Sequence, residues 1–212
     1  MKYVVYATVL SMMFFLSAIG TEAADTIQLP KPQITGGKPL MQVLNERHST
    51  RTFSDRKLSP QVLSNVLWAA WGINRPDGKR TVPTANNKQG MDVYAALPEG
   101  IFLYDAQANT LKPVVDKDLR ALTGRQDFVG KAPLNLIYVA DFAKMTSTSD
   151  ADKLRYSAAH TGFMAENVYL YCTSEGLGTV IRAYFDSPAL EKALKLRPDQ
   201  KVILCQTVGY PK

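Results

Sequence analysis

In the stretch NERHSTRTFSD, Asn45 to Asp55, two guanidiniums (Arg47 and Arg51), an imidazole (His48) and two hydroxyls (Ser49 and Thr50) fall on consecutive positions. Two arginines four apart with hydroxyls between them can grip a phosphate, or the edge of a conjugated carbonyl, in a forked geometry that lysine cannot copy. The plainer reading is a solvated helix end, where positive charge sits favourably at the negative pole of the helix dipole. These residues alone leave both readings open.

Other chemistry is sparse. His48 and His160 are the two histidines, far apart in sequence, and no metal site suggests itself. No Gly-x-Ser-x-Gly elbow marks a nucleophile, so a hydrolase is unsupported. Glu166, six residues after His160, reads as its polar contact rather than half of an acid/base pair. Cys172 and Cys205 lie in apolar runs with no His or Cys beside them, and read as unpaired, inert thiols. No Gly-x-Gly-x-x-Gly follows a strand, so a doubly wound dinucleotide fold is not indicated.

Several elements must position the cluster. Residues 25–38, rich in Pro and Gly, read as an extended arm ahead of a domain spanning 39–212. PLMQVLNER places Leu40, Val43, Leu44 and Arg47 at helical spacing, so Arg47 is expected on an inward stripe where its charge needs a partner. A second helix follows, with Ser59 as cap, Pro60 in its first position and Leu63, Val66, Leu67 and Ala70 on one face. MDVYAALP, GIFLYDA and TLKPVVD read as a strand meander, DKDLRALTG as a short helix and APLNLIYVADFA as a buried strand. DADKLRYSAAHTGFMAENVYLYCTSEG reads as a long helix, apolar around most of its girth, as suits a central helix or one at a subunit interface. GLGTVIRAYFD, a capped helix SPALEKALKL and a last strand DQKVILCQTVG complete the chain. Strands mostly in one block with helices before and after indicate an α+β fold around an antiparallel or mixed sheet.

The chain is 212 residues long and 46% hydrophobic, enough for one domain with a real core. Its net charge of +6 is spread along the sequence, and no basic run is interleaved with aromatics as nucleic-acid binding would need. Residues 1–24 have one Lys, an apolar run from Tyr3 to Ile19 and small residues at Thr21, Ala23 and Ala24. That is the layout of a secretory signal peptide. The expectation is an exported protein, periplasmic or extracellular after cleavage, with no stable membrane insertion; an uncleaved anchor is the alternative.

ERHSTRTFSDRKLSPQVLSNVLWAAWG followed by TVPTANNKQGMDVYAAL resembles the nitroreductase family of FMN-dependent oxidoreductases. Its Arg-x-Ser-x-Arg/Lys opening leads through a helix to a Pro-Ser/Thr-x-x-Asn-x-Gln loop and a strand. TGRQDFVGKAPLNLIYVAD, TGFMAENVYLYCTSEGLGTV and LKLRPDQKVILCQTVGYP extend the resemblance to the C-terminus.

It implies an intertwined homodimer with FMN in two interfacial clefts, each touching both chains. Arg47 and His48 would meet the phosphate and ribityl region, and Ser49 the phosphate or ribityl chain. Arg51 would stand at the flavin N1/O2 edge. Pro83, Thr84, Ala85 and Asn87 would reach across from the partner chain. The Gln126 amide would approach the flavin, and Lys212 would take a phosphate-binding part that longer members give to residues beyond the last strand. Arg182, Ala183 and Tyr184 align with the segment whose backbone N–H faces N5. Ala183 stands where some members carry an acid, so that side chain's role is absent here. The resemblance implies ping-pong transfer from NAD(P)H or another small-molecule donor to a nitroaromatic, quinone or related acceptor. A flavin-dependent dehydrogenase or oxidase of a peptide or small metabolite, and a catalytically silent flavin binder, are the alternatives.

Overall fold

Runs of β-branched and aromatic residues separated by turn-forming residues favour antiparallel strands. The computed structural model describes residues 25–212 apart from Ser147, and it builds one seven-stranded sheet from such runs. The expected signal peptide, 1–24, lies outside the described residues. The chain runs β1 (Ile27–Gln28), α1 (Leu40–Glu46), α2 (Pro60–Trp71), β2 (Met91–Leu97), β3 (Gly100–Asp105), β4 (Thr110–Val115) and β5 (Leu134–Asp141). It continues through α3 (Asp150–Ser174), β6 (Gly178–Arg182), α4 (Ser187–Ala193) and β7 (Gln200–Gly209).

Strand order is β1-β4-β3-β2-β5-β7-β6, and every pairing is antiparallel. The meander β2-β3-β4 is as expected. DKDLRALTG gives only a single 3-10 turn, Arg120–Thr123, not an α-helix. The extended arm joins the fold: β1 adds to the β4 edge, and Pro30 O and Gln33 N–H bond to Ser64 and Asn65 of α2.

All eight residues of β5 are buried, because the strand is covered on both faces. Leu134, Leu136, Tyr138 and Ala140 pack with Val66, Leu67 and Ala70 of α2 and Met164, Val168 and Cys172 of α3. On the other face Ile137 and Val139 meet Leu190 and Leu194 from α4 and its C-terminal end. Ser59 Oγ accepts Val62 N–H at 3.3 Å and Pro60 opens α2, as the sequence requires. Both cysteines are buried and free, and burial pushes the Cys205 thiol up to about 12. Among the described residues no helix is long and apolar enough to cross a membrane.

Candidate functional site

The helix before the arginine cluster stops one residue short of it. Arg47 caps the C-terminus of α1, and its ψ of 123° turns the chain into extended backbone. This corrects the inward stripe: Val43 alone of α1 is buried, while Leu40 and Leu44 are exposed and Arg47 is half-buried. The Arg47 guanidinium lies 5.2 Å from the centroid of the Tyr169 ring, a cation–π contact rather than an ion pair.

Tyr169, on α3, organises the cluster. Its Oη is 2.8 Å from Ser49 Oγ and accepts Ile181 N–H of β6 at 3.0 Å. This arrangement lets Tyr169 donate to Ser49, leaving the serine O–H for a ligand. Thr50 N–H donates to Thr179 O at 3.0 Å, so the cluster runs beside β6. A Cβ on Gly178 would come within 2.7 Å of the Thr50 side chain, which is why a glycine stands there. His48 turns away: it is exposed, with Nδ1 2.8 Å from Glu46 O.

Arg51 opens onto a hollow of about 240 Å³ that also holds Lys131, Lys212, Asp127 and the Phe53 and Phe128 rings. Lys212 is brought there by the backbone, since Phe53 bridges Pro211 and Lys212 N–H donates to Thr52 O. Among the described residues none of the three cations is in an ion pair. Three cationic side chains against one acidic side chain, with two aromatic rings beside them, suit a planar or compact anion. The family resemblance puts Arg51 at a ring edge and Lys212 at a phosphate. The structure puts both on one hollow, so whatever group enters meets both.

Arg182, at the end of β6, is 5% exposed. Its guanidinium donates to Thr207 Oγ1 at 3.1 Å, Thr123 O at 2.5 Å and Asn135 Oδ1 at 2.9 Å. A Cβ at Gly124 would overlap it. The side chain is therefore committed to the interior, and only its backbone remains for a ligand. The exposed Ala183 and Tyr184 follow at once, tied back where Arg125 N–H donates to Tyr184 O at 3.0 Å. Gln126 sits beside this junction with its Oε1 buried and without a hydrogen-bond partner. A buried acceptor left open is costly, so a donor from a ligand or water suits this position. Contacts thus bring Arg47, Ser49, Thr50 and Arg51, residues 126–131 and Lys212 together around β6.

The loop Pro83–Gln89 is not part of that convergence. Asn86, Asn87 and Gln89 adopt left-handed φ of 51°, 52° and 47°, a strained run held by cross-bonds. Gln89 N–H donates to Thr84 Oγ1 and its side chain accepts from Arg80. Ala85 N–H donates to His160 Nε2 at 2.9 Å. His160 therefore contacts the loop, not Glu166, which is exposed. Tyr169 lies nine residues further along α3, about 13 Å at the helical rise. Within one chain the loop and the arginine cluster stand apart by that much.

Tyr169 and His160 are the residues that sequence reasoning missed. Their partners lie 120 and 75 positions away, and an aromatic or a lone imidazole on a long helix reads as core.

The model of the family described as nitroreductase matches residues 44–210. A Methanocaldococcus jannaschii protein provisionally named a nitroreductase is 30% identical over 184 residues, which are 82% of this chain and 92% of its own. A crystal structure from Ralstonia eutropha, also provisionally named a nitroreductase, is 42% identical with a TM-score of 0.85, covering 90% of this chain and 93% of that one. The Escherichia coli microcin synthetase McbBCD complex has a chain matching at a TM-score of 0.70 and 19% identity, over 97% of this chain and 85% of its own, a likeness of fold alone.

Proposed function

The chain belongs to the nitroreductase family of oxidoreductases, and from that premise we propose that it binds FMN between two copies of itself and transfers reducing equivalents from a reduced donor to a small acceptor. The observation that carries this reading is the gathering of an unpaired cationic hollow, an open hydroxyl and a buried amide oxygen without a partner around β6 of one chain. These residues fit the cofactor's chemistry. Cations suit its anionic and carbonyl edges, Ser49 O–H suits an oxygen-rich tail, and Gln126 Oε1 suits a ring N–H. When bound, FMN supplies the redox chemistry, taking a hydride and passing it on.

The chain's own residues position and tune. Arg51, with Lys131 and Lys212 on the same hollow, favours negative charge on whatever edge enters there. Preorganised cations in a partly dry crevice act more strongly than the same charges in water. Arg47 and Ser49, both fixed on Tyr169, hold the tail. Ala183 and Tyr184, exposed residues that directly follow β6, offer their backbone N–H groups to orient a ring nitrogen. No side-chain acid or base is required. Donor and acceptor use one face in turn, with ping-pong kinetics.

The dimer rests on two features of the single chain. Leu40, Met41 and Leu44 of α1 and Leu154 and Phe163 of α3 are exposed, between 46% and 75%. Large apolar side chains left exposed on both helices suit an association surface. The loop at Pro83, Thr84, Ala85 and Asn87 stands about 13 Å along α3 from Tyr169, a separation that suits its meeting an FMN held by the arginine cluster of the other copy. Residues 1–24 direct export, and the mature chain then begins near Asp25.

The test is the visible spectrum of the purified protein, followed by anaerobic addition of NADH. Flavin absorbance, released as FMN on denaturation and bleached at catalytic rates, is the expected result. A colourless protein that takes up no FMN would overturn the assignment. A flavin that neither NADH nor another reductant reduces would leave only a binder.

A further inference from the structure

Left-handed backbone at three non-glycine positions within four residues, Asn86, Asn87 and Gln89 with Lys88 right-handed between the last two, costs free energy and persists only where surrounding bonds over-determine it. Most of the bonds holding Pro83–Gln89 come from its own neighbourhood: Thr84 Oγ1 to Gln89 N–H, Thr84 O to Asn87 N–H, and Arg80 to the Gln89 amide. At the tip, the buried bond from outside is the one to His160, which is 3% exposed on α3. Lys88 Nζ reaches Thr146 Oγ1 at 3.3 Å, but that pair is exposed.

His160 is an uneconomical way to fill this position. Its Nε2 accepts from Ala85 N–H, so the neutral ring carries its proton on Nδ1. That nitrogen is buried without a hydrogen-bond partner. Phe or Leu would fill the space with no open donor. What the imidazole provides and they cannot is an acceptor for Ala85 N–H. Burial lowers the His160 pKa, which keeps the acceptor form in place at neutral pH.

We propose that His160 is the positioning residue of the Pro83–Gln89 loop, holding Ala85 so that the strained turn is presented in binding geometry before any cofactor arrives. The proposal rests on the FMN reading above for the loop's purpose, but not for the hold itself.

Two variants test it. His160→Phe keeps the ring and its stacking on Tyr156, 6.4 Å between centroids, and removes the acceptor. His160→Gln places an amide oxygen near the Nε2 position. In the FMN-free protein, the Ala85 amide is expected to exchange slowly in the parent, at least fivefold faster in His160→Phe, and near the parent rate in His160→Gln. FMN dissociation constants from quenching of flavin fluorescence should rise about tenfold for His160→Phe, the worth of one buried hydrogen bond, and return within about twofold for His160→Gln. Unchanged Ala85 exchange in a folded His160→Phe protein would overturn the hold. A failure to fold in His160→Phe leaves His160→Gln to decide, since fast Ala85 exchange in that folded variant would equally defeat it. Faster exchange with unaltered FMN affinity would show that His160 holds a loop the cofactor does not touch, which defeats the positioning role. If the parent binds no FMN, the FMN reading fails while the exchange comparison still decides the hold.

Discussion

Replacing Arg182 by Met puts numbers on the junction between β6 and the exposed segment Ala183–Tyr184. Arg182 is 5% exposed, and its three bonds all go to neutral oxygens, on Thr207, Thr123 and Asn135. Burial lowers its pKa, yet a guanidinium stays charged. Met fills much of the volume but leaves Thr123 O and Asn135 Oδ1 short of a donor, at about 1–3 kcal/mol each. Asn135 Oδ1 keeps the 2.6 Å bond from Thr207 Oγ1, so its loss lies at the low end. Against this, the variant no longer buries a charge that no carboxylate neutralises; because three hydrogen bonds already solvate that charge, the relief is at the low end, about 1 kcal/mol. The balance is a net destabilisation of about 2 kcal/mol, or a fall of about 4–8 °C in Tm for a chain of this size. Urea unfolding of the FMN-free protein at constant m-value is the assay. FMN affinity should fall as well, because Ala183 and Tyr184 lose the anchor immediately before them. A variant as stable as the parent, or more so, would refute the reasoning. It would mean that the desolvated charge outweighs the network it supports.

Other perturbations act at separate points. Arg51→Ala should raise the FMN dissociation constant about tenfold and Lys131→Ala about threefold, both effects shrinking as salt rises; equal affinities at low salt would remove the hollow from the site. Tyr169→Phe deletes the hydroxyl shared by Ser49 and Ile181, and should cost about 1–2 kcal/mol in denaturant unfolding together with FMN affinity. For His160 the folded-state pKa lies below its ordinary value of 6.5. Its contribution is thus complete above pH 6.5 and is lost as pH falls toward the folded pKa, because the unfolded chain takes up a proton that the folded one refuses. Denaturant midpoints for the parent and His160→Gln should therefore be close at pH 7.5 and separate as pH drops to 5.5, the parent falling below the variant, and parallel curves would deny that His160 titrates this way.

Much of the scaffold was legible because its signals are local. Ser59 and Pro60 mark the start of α2, the turns near Pro98 and Gln107 separate β2, β3 and β4, and the apolar run from Leu134 can only be a strand covered on both faces. The arginine cluster was legible as chemistry but misread as placement. Arg47 was expected on an inward stripe, yet α1 is seven residues long and ends at Glu46, leaving Arg47 to close onto Tyr169. The apolar side chains of α1 that periodicity assigns to the core stay open in the single chain, since periodicity marks an apolar stripe without saying what covers it. Sheet order around β5 and β7, the neutral cage of Arg182 and the bond from Ala85 to His160 all join residues dozens of positions apart. No local pattern carries that information.

Mixing two defective proteins tests the shared crevice most directly. One carries Arg47→Ala and Arg51→Ala, the other Asn87→Asp in the loop, and neither homodimer should retain FMN through dialysis. If each site draws its arginines from one copy and its loop from the other, a mixed dimer places both defects in one crevice and leaves the second intact. Refolding the two together should then restore one tightly held FMN per mixed dimer. Mixed dimers that hold no flavin would mean each crevice is built from a single chain.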